Sequence, residues 1–281
     1  MAYRITEKKE LAADVKLMKI GAPLIARKAK PGQFIIFRID ERGERIPLTI
    51  MDTDKEDGLV SIIFQEVGKA TKQLGQLQVG DEILDFVGPL GKPTKIEKVG
   101  TVVCIGGGIG VAPIYPIAKA FKKKGNRLIS IIGARSKELL ILEKEMGTIS
   151  DQLHVTTDDG SYGYHGFVTD MLQKLKDEKE TIDLVMAIGP VPMMHAVSNL
   201  TREFAIKTLV SLNPIMIDGT GMCGGCRVSI GGETKFACVD GPEFDGHLVD
   251  FHELRKRQGT FRELEHVAHT TYNEKCRLAA G

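Results

Sequence analysis

The run Thr101-Val102-Val103-Cys104-Ile105 passes directly into Gly106-Gly107-Gly108-Ile109-Gly110, and a helical pattern opens at Val111. Glycines between a strand and a helix let the backbone approach a pyrophosphate, while the helix start offers unpaired N–H groups and the positive end of a dipole. Alone, such a turn is only a tight connection, so its surroundings decide. From Gly100 onward short apolar runs alternate with longer helical ones: RLISIIGA precedes KELLILEKEMGTI, LHVTT precedes FVTDMLQKLKDEKE, and DLVMAIGP precedes PMMHAVSNLTREFAI. KTLVSLNPIM closes the series. That alternation implies a doubly wound α/β domain with a parallel sheet over residues 99–213. Ligands of such sheets lie outside the carboxyl ends of the strands. One rim then carries Gly106, Gly107, Gly108, Gly110, Gly189, Pro190 and the Asp158-Asp159-Gly160 stretch. Met193 and Met194 read as packing residues. The second strand ends in Gly133-Ala134-Arg135-Ser136, without the acidic residue that ordinarily meets ribose hydroxyls. Arg135 either contacts an adenosine phosphate or faces solvent, and its charge leans slightly toward NADP.

Residues 1–98 have a different texture. FIIFRI, IPLTIM, LVSIIFQEV and EILDFVGPLG are short β-like runs separated by turn signals, the pattern of a small antiparallel barrel or sandwich. After Pro214 the chain becomes rich in Gly and Cys, then ends in a charged helical stretch around FHELRKRQGTFRELEHV; residues 214–281 form a third, small segment.

Composition excludes several classes of function. A net charge of +1 over 281 residues supplies no basic field for nucleic acid or an anionic membrane, and FKKKGNR reads as the solvated end of a helix. No segment approaches the ~18 consecutive apolar residues of a membrane span. MAYRITEKKELAADVKL has no apolar h-region, so no secretory signal is expected. Five cysteines, three of them clustered beside glycines, suggest a reducing compartment with a metal site, hence a cytoplasmic location.

Cys223, Cys226 and Cys238 follow plant-type [2Fe–2S] spacing, C-x4-C-x2-C with a fourth Cys farther on, except that Asp218 stands where the first Cys belongs. Zinc is a competitor, but structural zinc sites pair C-x2-C knuckles and use Cys or His for all four ligands. A redox C-x-x-C dithiol would leave Cys238 and the glycines unexplained. The spacing favours a [2Fe–2S] cluster, with Asp218 either its fourth, anionic ligand or a turn cap before Gly219. Cys104 and Cys276 lie outside the spacing and read as packing and tail residues. His154, His165 and His195 read as ordinary strand, loop and helix residues.

Taken in order, Arg45-x-Pro47-Leu48-Thr49, Gly68-x-Ala70-Thr71, Gly88-Pro89-Leu90-Gly91, GGGIGVAP and Gly189-Pro190 resemble the ferredoxin–NADP reductase superfamily, over nearly the whole chain. DGTGMCGGCRV and CVDGPEFDGHLVDF narrow the likeness. They resemble the iron–sulfur electron-transfer subunits of dihydroorotate dehydrogenase and, more closely, the small subunits of NADH-dependent reduced ferredoxin:NADP oxidoreductase. This resemblance implies a β-barrel FAD domain, an NAD(H) domain and a [2Fe–2S] segment. It implies that Arg45 meets the FAD pyrophosphate, with Pro47 and Leu48 in the same motif. Thr49 then presents its hydroxyl near flavin N5 as the catalytic residue, and Gly68, Ala70 and Thr71 hold the FAD phosphates. It also implies NADH rather than the NADP that Arg135 suggested. Finally it implies a heterodimer with a larger iron–sulfur flavoprotein through which ferredoxin is reached or, alternatively, a dihydroorotate-oxidising FMN partner.

Overall fold

The computed structural model describes residues 3–280, without the side chains of 275–280, so the Cys276 thiol lies outside the described residues. In the first domain the strands are β1 (Tyr3–Ala12), β2 (Val15–Gly21), β3 (Phe34–Arg38), β4 (Ile46–Thr49), β5 (Asp52–Asp54), β6 (Leu59–Gln65), β7 (Glu82–Ile83) and β8 (Asp85–Leu90). Two short helices, α1 (Pro23–Lys28) and α2 (Lys69–Gln76), interrupt them. The strands form two antiparallel sheets, β5-β6-β2-β1-β7 and β4-β3-β8. Alternate residues of both sheets, Met18, Ile20, Ile35, Phe37, Val60, Ile62, Phe64 and Phe86, meet in one core. This is the expected barrel, and period-2 alternation is what closes it.

The nucleotide domain contains β9 (Thr101–Gly107), α3 (Val111–Lys123), β10 (Arg127–Ala134), α4 (Glu143–Ile149), β11 (Gln152–Thr157), β12 (Tyr164–His165), α5 (Val168–Asp177), β13 (Leu184–Ile188), α6 (Val191–Glu203) and β14 (Thr208–Ser211). Its strands run parallel in the order β12-β11-β10-β9-β13-β14. Both faces are covered, which explains the unbroken apolar runs. Val103, Ile105, Ile129 and Ile131 face α5 and α6, whereas Val102, Cys104, Leu128 and Ile132 face α3 and α4. Cys104 is fully buried there, and burial pushes its thiol pKa up. The KELLILEKEMGTI stretch is not one helix: Leu142 takes a left-handed φ of 56°, so a short 3-10 turn and α4 are separate pieces.

The C-terminal segment is not a detached lobe. It holds β15 (Arg227–Ile230), β16 (Glu233–Phe236), β17 (Glu243–Asp245), α7 (Phe251–Gln258) and α8 (Arg262–Ala280). Strand β17 adds antiparallel to β14 at the edge of the nucleotide sheet. Cys226, Val228, Ala237, Cys238, Phe251 and Leu254 share one core with Val103 and Ile105. Among the described residues no helix is long and apolar enough to cross a membrane.

Candidate functional site

The chain leaves β9 toward β10 and β11, then returns to β13 on the other side of β9. The strand order thus reverses between β9 and β13, and a crevice at the carboxyl ends of such a pair is where doubly wound sheets take nucleotides. The residues at those ends are Gly106 to Gly110 and Gly189-Pro190, as the sequence placed them. Gly110 has no room for a side chain: a Cβ would fall 2.2 Å from the Ile188 carbonyl oxygen, so the turn presses directly on β13. Gly108 is the opposite case, with φ +55° and nothing within 4 Å of a Cβ, leaving its backbone open to a ligand. These glycines fit a dinucleotide.

Of the two methionines, Met194 is core. Met193 is only partly buried, and its sulfur would lie 2.3 Å from a Cβ at Gly107, so it packs on the glycine turn itself. Arg135 is exposed just past β10. The Asp158-Asp159 loop folds back beside it, Asp159 N–H donating to the Arg135 carbonyl at 3.1 Å.

The flavin motif lies on β4, paired with β3 so that Thr49 faces Phe34 and Pro47 faces Ile36. Thr49 and Arg45 are half-buried. Gly68 opens α2 with no atom within 4 Å of a Cβ, and the buried Thr71 hydroxyl accepts the Gly68 N–H at 3.1 Å. A helix start kept open in this way fits phosphate oxygens. Glu66, just upstream, is engaged elsewhere: it pairs with Lys16 and fills the space above Gly75.

Arg45 also ties the flavin motif to the cysteine segment. Its Nε donates to the Ile217 carbonyl at 3.0 Å, and Asp85 Oδ2 lies 3.9 Å from its Nη1. The next residues seat on the barrel, since a Cβ at Gly219 would lie 2.7 Å from Ile36 and Leu90 of β3 and β8. On the other side, β6 neighbours the Gly108–Gly110 turn. The barrel therefore touches both the nucleotide turn and the cysteine loop.

Within that loop Cys226 and Cys238 are buried with sulfurs 3.2 Å apart, while Cys223 is exposed and accepts the Gly225 N–H at 3.4 Å. Burial and the Cys226 thiol push Cys238 up to about 12, opposed by the Gly221 N–H that hydrogen-bonds to it. Asp218 caps the loop: Oδ1 accepts Thr220 N–H at 2.8 Å and Oδ2 accepts Cys223 N–H at 2.7 Å. These hydrogen bonds hold its carboxyl below the usual range. Among the described residues no three His, Cys, Asp or Glu side chains converge as a preformed metal cage. The structure brings Cys226 and Cys238 together and links Cys223 to Asp218 through the backbone. Paired soft sulfur donors surrounded by backbone N–H groups fit an iron–sulfur cluster.

The roles of the Ile217 carbonyl and, below, of Arg257 were not legible in the sequence. A backbone carbonyl has no signature in the residue string, and Arg257 sits in a stretch that looks merely solvated.

The barrel with its open helix start, the parallel sheet with a glycine turn at its switch point and the buried cysteine pair each correspond to a domain of flavin- and nicotinamide-linked iron–sulfur oxidoreductases. Residues 2–94 match the oxidoreductase FAD-binding domain, 104–199 the oxidoreductase NAD-binding domain, and 213–250 the iron–sulfur cluster binding domain of dihydroorotate dehydrogenase B. A homolog of the dihydroorotate dehydrogenase B (NAD(+)) electron transfer subunit from Thermotoga maritima is 49% identical over 95% of this chain and 94% of its own. The electron transfer subunit of that enzyme from Fusobacterium nucleatum is 35% identical over 85% of this chain and 94% of its own. A solved structure of NADH-dependent reduced ferredoxin-NADP oxidoreductase, described for flavin-based electron bifurcation, is 48% identical. It superposes with a TM-score of 0.91 over 97% of this chain and 98% of its own. The chain belongs to this family of electron-transfer subunits within the ferredoxin–NADP reductase superfamily, and it carries FAD-, NAD- and iron–sulfur-binding domains.

Proposed function

We propose that this chain is the electron-transfer subunit of a bifurcating NADH-dependent ferredoxin:NADP oxidoreductase. It would work in a heterodimer with a larger iron–sulfur flavoprotein through which ferredoxin is reached. The observation that carries this reading is the superposition on the bifurcating oxidoreductase structure, with a TM-score of 0.91 at 48% identity over 97% of the chain. The Fusobacterium subunit matches at 35% over 85%, whereas the Thermotoga homolog matches at 49% over 95%. The second reading, an electron-transfer subunit serving dihydroorotate oxidation, is supported by the names of the Thermotoga and Fusobacterium relatives.

When bound, FAD takes a nicotinamide hydride as two electrons and can release them singly, which side chains cannot do. The protein binds, orients and insulates. In this reading the Arg45 guanidinium, whose fork suits phosphate oxygens, would hold the FAD pyrophosphate, and the Thr49 hydroxyl would serve the flavin N5. Gly68, Ala70 and Thr71 take the phosphates at the start of α2. Gly106, Gly107, Gly108 and Gly110 take the nicotinamide dinucleotide, with Gly189 and Pro190 across the crevice and exposed Arg135 at the adenosine end. Cys223, Cys226, Cys238 and Asp218 ligate iron. The Arg45–Ile217 hydrogen bond keeps flavin motif and cluster loop adjacent, which suits electron transfer between them.

Anaerobic isolation from the native source tests the reading. A partner carrying FAD and several iron–sulfur clusters supports bifurcation, whereas a partner carrying FMN and no cluster selects dihydroorotate oxidation. A flavin in the isolated complex that NADH fails to bleach would defeat both. For the ligand set, Asp218→Ala is expected to lose or destabilise the cluster and Asp218→Cys to keep it with an altered EPR spectrum; wild-type spectra in both variants remove Asp218 from iron.

A further inference from the structure

Helix α7 begins at Phe251, immediately beyond the matched cluster-binding segment 213–250. Its start is fixed by Asp250, whose side chain accepts the Glu253 N–H at 2.9 Å. Its rotation is fixed by Phe251 and Leu254, both buried in the core that also holds Cys226 and Cys238. With one face so committed, the last turn points two side chains at the cysteine segment. Arg257 Nη2 donates to the Gly225 carbonyl at 3.1 Å, inside the Cys223–Cys226 turn. Gln258 Nε2 donates to the Asn213 carbonyl at 2.9 Å, where the segment begins.

Partial burial sets Arg257 apart from Arg255, Lys256 and Arg262, which are exposed. Its Nε is buried with no hydrogen-bond partner, a costly arrangement for a charged group. No carboxylate lies within salt-bridge distance of it among the described residues. The acids on the same helix and at its cap are engaged elsewhere: Glu253 with the Ser229 hydroxyl and Asp250 with the helix start. A positive charge is thus held at the C-x-x-C turn without neutralisation.

We propose that Arg257 is a positioning residue for the cluster. It fixes the Cys223–Cys226 turn through the Gly225 carbonyl and supplies a positive charge that favours the reduced cluster. One-electron reduction adds one negative charge, and net charge and hydrogen bonding around the sulfurs are what set cluster potentials. A guanidinium does this without competing for iron, because it stays protonated and is no ligand. The inference rests on the reading of Cys223, Cys226 and Cys238 as ligands.

The test is an anaerobic redox titration of the complete complex, following the EPR signal of the reduced cluster, alongside iron and sulfide content. Arg257→Gln keeps a donor but removes the charge. At a fixed potential the reduced-to-oxidised ratio is expected to fall about tenfold, a shift of ~59 mV for one electron, with iron content unchanged. Arg257→Lys keeps the charge but loses the fork; its potential stays near wild type while iron is lost faster to a chelator. Lys256→Gln, which removes an exposed cation from the same helix, is expected to leave the potential unchanged. A full cluster at wild-type potential in Arg257→Gln overturns the proposal. So do equal shifts in the Lys and Gln variants, or an equal shift in Lys256→Gln. If Arg257→Gln loses its iron, a wild-type potential in Arg257→Lys supports the charge role and a shifted one refutes it. A Cys226→Ser protein with its cluster and spectrum intact would instead defeat the ligand assignment, leaving a different failure to read.

Discussion

The nucleotide turn and the cysteine loop are both glycine-rich, yet they are built in opposite ways. Residues 106–110 are held by the sheet they belong to: Gly110 presses on the end of β13 and Gly107 lies under Met193. Residues 217–226 are held by groups from elsewhere: Arg45 on the barrel takes the Ile217 carbonyl, Arg257 on α7 takes the Gly225 carbonyl, and Ile36 and Leu90 pack on Gly219. The first turn is local architecture and should fail all at once. The second is a junction of three parts and should loosen contact by contact.

The harshest way to test that difference is Gly110→Ala. A methyl 2.2 Å from the Ile188 carbonyl oxygen has nowhere to go, because its neighbour is backbone of a central strand. Overpacking costs ~1–3 kcal/mol, and a rigid backbone neighbour puts this site at the upper end. Thermal melting should show one cooperative loss of stability, and NADH binding should disappear with it. A variant that melts like wild type would mean that the turn is not held by β13.

Glu243 probes the junction where the cysteine segment rejoins the sheet. It lies on β17 and accepts a hydrogen bond from Thr94, which belongs to the link between the first two domains. Burial raises its carboxyl to about 7, against the smaller lowering effect of the Thr94 hydroxyl. Lys92, Lys207, Asp183 and Asp240 line the same cavity, with Lys92 at 3.9 Å from Asp240. The folded state therefore keeps a proton that the unfolded chain has released. This contribution is complete below the ordinary glutamate range, declines as pH rises toward 7 and is flat above it. The change amounts to at most ~3 kcal/mol. Glu243→Gln should flatten chemical-denaturation stability over that window and be more stable than wild type at pH 8. A wild-type slope in the variant would locate the titration elsewhere.

The same contrast explains what could be read from the sequence. The strand–turn–helix at Gly106 to Gly110 was legible because periodicity and glycine placement are local, and the sheet order then put Gly189-Pro190 opposite. The barrel was legible from the spacing of short β-like runs such as FIIFRI and LVSIIFQEV between turn signals. Spacing alone located Cys223, Cys226 and Cys238, but not their relation to the rest. Nothing in FHELRKRQ separates Arg257 from the solvated Arg255 and Lys256, since only the burial of Phe251 and Leu254 decides which way the helix turns. The break at Leu142 was hidden for a similar reason, as its left-handed backbone carries no glycine to mark it.

The mildest test removes one external hold on the cysteine loop and leaves the other in place. Arg45→Lys keeps a charge near Asp85 but gives up the guanidinium Nε that donates to Ile217. One partly exposed hydrogen bond of this kind is worth ~1 kcal/mol, or about a fivefold change in a local opening equilibrium. Backbone amides of residues 217–226 should therefore exchange about fivefold faster, while those of residues 106–111 keep wild-type rates. Uniform acceleration across both regions would mean that the loop and the turn share one cooperative unit, and the contrast between them would fail. Acceleration confined to the loop would show that the barrel holds it.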